Sequence, residues 1–295
     1  MRKYSRFFDE IYTSPLIIHP SGLSKYIPYI KALQQGKIID LPEKLPLSMG
    51  MFDQLGNGFM PQDTDDETDG VCVIPINGII TRAGSWWDYG TEDYAACLED
   101  AFEDPTISAV VLQINCLGGS VDSIFPIKEV LAKKNKPVIC AVDSQAFSLG
   151  YYVAALCDKI IAVDAMAQVG SIGVMASLMN FDAAYKQMGI KLIEIYPPES
   201  NWKNRAYNEA KDGKPDLMIQ EELSPWAQHF QQVVRDNRPK LNESIDGTLQ
   251  GRTFFANFTT ENGKTTGLVD DIMPMGDIIQ YAYKLAKGQQ IKQLF

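Results

Sequence analysis

The sequence predicts an α/β protein, with a parallel-rich sheet and helices flanking it on both faces. Three observations carry this expectation. Short, nearly all-apolar runs such as SAVVLQIN (108–115) and PVICAVD (137–143) have the length and composition of strands buried on both sides. Segments of helical character separate these runs in regular alternation, as crossover connections between parallel strands require. Glycine-bearing turns follow consecutive strands, at Asn115–Ser120 and at Gln145–Tyr152.

Residues 1–56 read as an N-terminal extension. Its first 50 residues hold seven Lys/Arg against four Asp/Glu, and Pro15, Pro20, Pro28, Pro42 and Pro46 leave room only for short helices such as Leu23–Gln34. Residues 57–70 read as an acidic linker, with five acids between Asp63 and Asp69 and few apolar groups. The main domain spans 71–288, and 289–295 form a tail. Within the domain the expected order begins with a buried strand (71–80), a helix (Asp93–Phe102), the strand 108–115 and a helix (Val121–Lys133). The strand 137–143 then feeds an apolar helix, Ser148–Cys157, followed by a strand, Lys159–Val163. A helix (Phe181–Met188) and a strand (Lys191–Tyr196) come next, then a helix with Ser224 as cap and Pro225 in its first turn. A strand-like Gly267–Ile272 and a helix, Asp277–Lys287, complete the list.

The bulk numbers narrow the function. The chain has 295 residues, 45% of them hydrophobic, enough for one large domain with an extension. A net charge of −10 lacks the basic footprint of a nucleic-acid or anionic-membrane binder. No apolar run approaches the ~18 residues of a bilayer-spanning helix. The basic N-terminus is interrupted by Asp9 and Glu10, and Leu16–Ile18 is too short for a signal-peptide core, so an intracellular location is expected. Five cysteines without a CxxC pair suit buried thiols better than disulfides or zinc, with Cys116 set apart by its glycine-rich loop. The two histidines, His19 and His229, lie beside neither glycine-bearing turn and read as surface residues. A Ser–His–Asp hydrolase is therefore disfavoured, and no metal or cofactor is expected.

Each turn has two readings. Gly118 and Gly119 either let a backbone approach a ligand closely or simply make a tight strand–helix connection. Ser148 falls where a strand ends and a helix begins, so it either caps the helix or serves as a nucleophile at its positive end.

Four ordered motifs resolve the choice by resemblance. Asn115, Gly118, Gly119 and Val121 form N-x-x-G-G-x-V; Ala146, Ser148, Gly150, Tyr151, Tyr152, Ala154, Ala155, Asp158, Lys159 and Ile160 form A-x-S-x-G-Y-Y-x-A-A-x-x-D-K-I. Gly170–Val174 reads G-S-I-G-V, and Gly251–Phe255 with Gly267–Asp270 reads G-R-x-F-F…G-L-V-D. Over roughly residues 70–285 this resembles peptidase family S49, the signal peptide peptidase A group, which includes phage head proteins of the minor capsid protein C type. The stretch Ser14–Pro20 also resembles the opening of phage-type members.

The resemblance implies a ClpP/crotonase-like fold and a serine endopeptidase with a Ser–Lys dyad. Ser148 matches the nucleophile, although Leu149 stands where the family has glycine, and its side chain is expected to narrow a subsite. Lys203, the first lysine after the strand ending at Tyr196, matches the general base in a segment that lacks the usual glycine and is about two residues longer. Lys191 and Lys211 are the weaker alternatives. Ser171, in isolation a turn residue, matches the serine that orients the amine. Gly118 or Gly119 and Leu149 would supply oxyanion-hole N–H groups. An ordinary lysine of pKa ~10.4 is neutral in about one molecule in 2500 at pH 7, a penalty of roughly 4.6 kcal/mol. The base must therefore be desolvated, with Trp202 and Tyr196 as the groups to exclude water.

Trp86 and Trp87, after the first strand of the domain, either bind extended substrate or fold back on the core. The expected partners are a protein or peptide substrate, further copies of the chain in a homo-oligomer, and phage capsid or portal proteins; nucleic acid and membrane insertion are not expected. The expected setting is the cytoplasm of a bacterium or phage-infected cell, or the virion. Two rivals stand beside this reading: a catalytically inactive capsid or scaffold component that keeps the fold, and a crotonase-like acyl-CoA enzyme.

Overall fold

A computed structural model describes residues 16–18, 47, 49–59, 69–84, 88–178, 180–191 and 193–293. The helix expected at Leu23–Gln34, His19, Trp86, Trp87 and most of the acidic linker lie outside the described residues.

The first strands are β1 (Leu16–Ile18), β2 (Gly50–Phe52), β3 (Gly58–Phe59) and β4 (Gly70–Ile80). Helix α1 (Thr91–Glu103) then leads to β5 (Ile107–Ser120), and α2 (Ile124–Ala132) to β6 (Val138–Phe147). Next come α3 (Leu149–Ala155), β7 (Lys159–Ala162) and β8 (Gln168–Gly170). The C-terminal part holds α4 (Asp182–Gln187), α5 (Arg205–Lys211), α6 (Ser224–Asn237), β9 (Thr253–Phe255), β10 (Asp271–Ile272) and α7 (Met275–Gln293). The sheet runs β10-β7-β6-β5-β4-β2-β3, with β1 attached to β5 and β8 joining β6 to β9. Its centre is parallel, from β4 through β5, β6 and β7 to β10. Strands β2, β3, β1 and β9 add antiparallel pairs, so residues 16–18, 50–52 and 58–59 belong to the same sheet as the domain.

The apolar runs are strands because both faces of the sheet are covered. Alternate residues point to opposite sides. Cys72, Ile74 and Ile76, with Val110, Leu112, Ile114 and Val142, pack on one side, beneath α1, α2, α3 and α6. Val71, Val73, Ala109, Val111, Ile139 and Ala141 pack on the other, against Ile278, Ile279, Ala282 and Ala286 of α7. Asp69 fastens α7 to the root of β4: it accepts hydrogen bonds from Ser108 Oγ (2.5 Å), Tyr283 Oη (3.1 Å) and Lys287 Nζ. Burial pushes the Asp69 carboxyl up, but Lys287, Ser108 and Tyr283 outweigh it and hold the group below the ordinary range.

Several elements differ from the sequence reading. Strand β5 does not stop at residue 115 but continues through Gly118 and Gly119 to Ser120, because strands lie on both of its edges there. The strand expected at Lys191–Tyr196 is not formed by its described residues: residues 193–197 lack regular structure, and Ile193 and Ile195 are 67% and 87% exposed. Without a neighbouring edge to pair with, β-propensity alone fixes nothing. Ser224 does not cap a new helix. The chain is already helical from Asp216, and a π-helical stretch, Ile219–Leu223, precedes α6 where Pro225 removes one donor and crowds the carbonyl four residues back.

Candidate active site

Strand β6 ends at Phe147, and α3 begins at Leu149. Ser148 makes the corner alone, with φ 55° and ψ −115°. A positive φ on a residue with a side chain stores ~1–3 kcal/mol of strain and persists only where its surroundings enforce it. The enforcement is visible. The Ser148 N–H donates to the Gly170 carbonyl (2.9 Å), while the Ser148 carbonyl accepts from the Tyr152 N–H (2.9 Å), opening the helix. Pairing of Phe147 with Gly170 aligns β8 beside the corner. The Ser148 side chain makes no capping hydrogen bond, so the capping reading of this serine fails. Its hydroxyl instead lies 3.5 Å from the Gly173 carbonyl, and the residue is only 1% exposed.

Ser171 sits on the segment that wraps this corner and shares the left-handed backbone, with φ 54°. Its N–H donates to the Arg252 carbonyl (2.9 Å), and Gly170 pairs with Thr253. The G-S-I-G-V and G-R-x-F-F motifs are thus two sides of one antiparallel pair, and that pair holds the serine corner.

The glycines on β5 complete the enclosure. A Cβ on Gly119 would lie 1.8 Å from the Ile80 carbonyl oxygen and 2.7 Å from Leu149 Cδ2, so only glycine lets β4, β5 and α3 meet there. Gly150 has a similar duty, since its Cβ would lie 2.8 Å from Cys116 Cβ. Cys116 is fully buried under α3, and its sulfur accepts the Gly118 N–H at 3.2 Å. That interaction occupies the Gly118 donor and leaves Gly119 as the better oxyanion candidate of the two. Leu149 belongs to the first turn of α3, whose N–H groups have no acceptor within the helix. Its side chain does not narrow a subsite as expected; it is wholly buried and packs over Gly119.

The proposed base lies elsewhere on the chain. Lys203 is exposed, in a turn after the short helical stretch Pro198–Ser200, and its N–H donates to the Ser200 carbonyl (3.0 Å). Among the described residues no hydrogen bond links it to Ser148 or Ser171. Trp202 does not shield it: the ring is 58% exposed and carries the Arg205 guanidinium at 4.4 Å. Tyr196 Oη accepts from Asn204 instead (3.2 Å). Lys191 is likewise exposed. Lys211 is paired with Asp182 at 2.9 Å, and that hydrogen bond pushes its pKa up, away from a free amine. Exposed apolar side chains crowd the same region, among them Phe181, Met188, Ile190, Ile193 and Ile195.

Two further features bear on the site. His229 is half-buried rather than a surface group, with Nε2 3.1 Å from Tyr152 Oη on α3, and burial lowers its pKa. Arg238, which the sequence reading passed over, is buried and bonds Asp270 (2.9 Å) and the Gly267 carbonyl (3.2 and 3.1 Å). Tyr151 donates to the Leu268 carbonyl (2.9 Å), so the G-L-V-D block anchors the helix carrying the serine corner. None of the five cysteines forms a disulfide, and no described group of residues could hold a metal ion. No helix among the described residues is long and apolar enough to cross a membrane.

A buried serine thus stands on a strained strand–helix corner of a parallel α/β sheet, with the glycine backbone of β5 packed against the first turn of α3. A sequence model of peptidase family S49 matches residues 130–289, and the chain belongs to that family. The family and the observed sheet accord with the ClpP/crotonase-like class expected from sequence. Protease 4 of Salmonella typhi is 28% identical over 232 residues, covering 77% of this chain and 36% of that protein. Capsid assembly protease C of Escherichia phage lambda is 26% identical over 218 residues, covering 72% and 48%. The chain therefore spans about a third to a half of these relatives. An enoyl-CoA hydratase/isomerase family protein from Silicibacter pomeroyi superposes with a TM-score of 0.44 at 16% identity, covering 74% of this chain and 78% of that one. A likeness at that level says nothing of activity.

Proposed function

We propose that the chain is a serine endopeptidase in which Ser148 is the nucleophile and Lys203 the general base. The observation that carries the reading is the strained Ser148 corner at the mouth of α3, beside Gly119. The Ser148 hydroxyl gives its proton to the neutral Lys203 amine as its oxygen attacks the scissile carbonyl. The oxyanion rests on the N–H groups of Gly119 and Leu149. Collapse of the tetrahedral adduct expels the amine product, which takes its proton from the Lys203 ammonium, and leaves an acyl-serine. Water, deprotonated by the same amine, attacks the acyl-serine, and the Lys203 ammonium returns that proton to the departing Ser148 oxygen as the acid leaves. Ser171 is a positioning residue that accepts or donates to the amine and keeps it aimed.

This scheme makes a demand on assembly. An amine near neutrality gives up its charge only when stripped of water, and Lys203 is exposed in the single chain. Cover has to come from a second copy laid over the apolar surface of residues 181–202. Burying Ile195 or Trp202 there contributes ~1.5–3 kcal/mol each. A homo-oligomer is thus part of the proposed active form. The substrates are protein chains; by likeness to a capsid assembly protease they are capsid-assembly proteins, met in the cytoplasm or the virion.

The test is proteolysis of casein by purified protein, with Ser148→Ala and Lys203→Ala for comparison. Loss of cleavage in both, with unchanged circular dichroism, is expected; full activity in either variant overturns the role of that residue. One observation favours a second reading, a non-catalytic capsid or scaffold component: the exposed Lys203 has no hydrogen bond to the serine. Absence of Ser148-dependent cleavage in the assembled particle would establish that reading instead.

A further inference from the structure

Strand β5 carries an extra partner at its site end. Up to Cys116 it is flanked by β4 on one side and β6 on the other, with Cys116 opposite Ala146. Beyond that point β6 turns away through Ser148 into α3, and its side of β5 is vacated. Gly118 and Gly119 keep Ile79 and Ile80 of β4 on one edge. On the other edge lies β1, antiparallel, with Leu16 opposite Ser120, Ile17 opposite Gly119 and Ile18 opposite Gly118. A strand residue has two edges, so β1 occupies the one that β6 abandons, next to the Ser148–Leu149 corner.

An extended polypeptide entering a peptidase by strand addition would need just such an open edge. We infer that residues 16–18 of this chain occupy the lane of the extended substrate and compete with it as an internal strand. The inference rests on the peptidase reading, since it takes the Gly118–Ser120 edge as the substrate lane. The occupant is built to be weak. It pairs over three residues, and the sequence sets Pro15 and Pro20 on either side, neither of which has an N–H to extend the ladder. A short strand closes the lane reversibly. If it is in place about nine-tenths of the time, it weakens apparent affinity for an outside peptide about tenfold.

Occupancy can be read without catalysis, in the full chain carrying Ser148→Ala. The probe is a fluorescein-labelled synthetic peptide with the sequence of residues 14–20, followed by anisotropy. Alternate N–H groups of an antiparallel strand face its partner. Either Ile17→Pro or the double change Leu16→Pro with Ile18→Pro therefore removes the donors facing β5. One of the two is expected to bind the probe about tenfold more tightly than the Ser148→Ala chain. Equal affinity in all three proteins, or no binding in any, overturns the inference. A second measurement guards against a proline that perturbs folding. Hydrogen exchange of the segment containing residues 16–18, in the unaltered strand background, should speed up when excess probe is added, and unchanged protection would also overturn it. Both readouts use a chain unable to cut. They therefore fail separately from the catalytic assignment, which fails if wild-type protein cleaves casein no faster than Ser148→Ala.

Discussion

The serine corner and the lysine segment follow opposite building rules. Ser148 is buried and held by backbone bonds from β8 and α3, with Gly119 and Cys116 packed beneath. Lys203 stands on an exposed stretch whose large apolar side chains face water. One half of the proposed dyad is finished within the chain, and the other waits for cover. Precision is thus invested where strain must be resisted, and the half left open is the one that the proposed association would complete.

The sharpest way to break this contrast is catalytic. Ser148→Ala and Lys203→Met should each lower casein cleavage by roughly 10³-fold or more, while only conditions that dissociate the oligomer should mimic the lysine variant. Activity proportional to protein concentration through the dissociation range would mean that Lys203 needs no second copy.

Arg238→Met attacks the finished half from behind. It leaves the half-buried Asp270 carboxylate without its guanidinium partner and frees the Gly267 carbonyl, which should cost about 3 kcal/mol in urea unfolding at pH 7. In the wild type, burial raises the Asp270 pKa, but Arg238 and the Ile160 N–H outweigh it and depress it overall. A depressed carboxylate contributes stability above its unfolded pKa of ~3.9 and loses it as pH falls through the folded value. The difference between variant and wild type should therefore narrow below about pH 4. A gap that stays constant with pH would remove Asp270 from the account.

Gly150→Ala presses a methyl group against Cys116 and should cost about 1–3 kcal/mol; Gly150→Ala combined with Cys116→Ala should recover part of that loss. A variant as stable as wild type would show that α3 has room to shift. Ile195→Asp, on the exposed stretch, should change monomer stability by no more than ~0.5 kcal/mol while weakening self-association in sedimentation and lowering activity. Unaltered association would show that a different surface makes the contact.

The parallel core was legible in the sequence because strands buried on both faces leave unbroken apolar runs, as in β5 and β6. Ser148, Ser171, Gly119 and Leu149 could be located from ordered motifs, and the structure gathers them at one corner. Less was visible where a conformation depends on a neighbour distant in sequence. The Gly118–Gly119 pair looks like a turn until β4 and β1 are known to flank it. Lys191–Tyr196 has strand composition but, among the described residues, no edge to join. The Ser148 backbone angle is imposed by Gly170, 22 residues later, and no local pattern announces it. Arg238 has no motif of its own, since its meaning comes from Asp270.

The clasp between Asp69 and α7 also sets a schedule. The underside of the sheet, from Val71 to Ile161, stays bare until the helix containing Ile278 to Ala286 has been synthesised and has left the ribosome. A growing chain can thread its strands earlier but cannot seal them. The proposed catalytic corner, built on that sheet, therefore gains its full support only once this helix has docked.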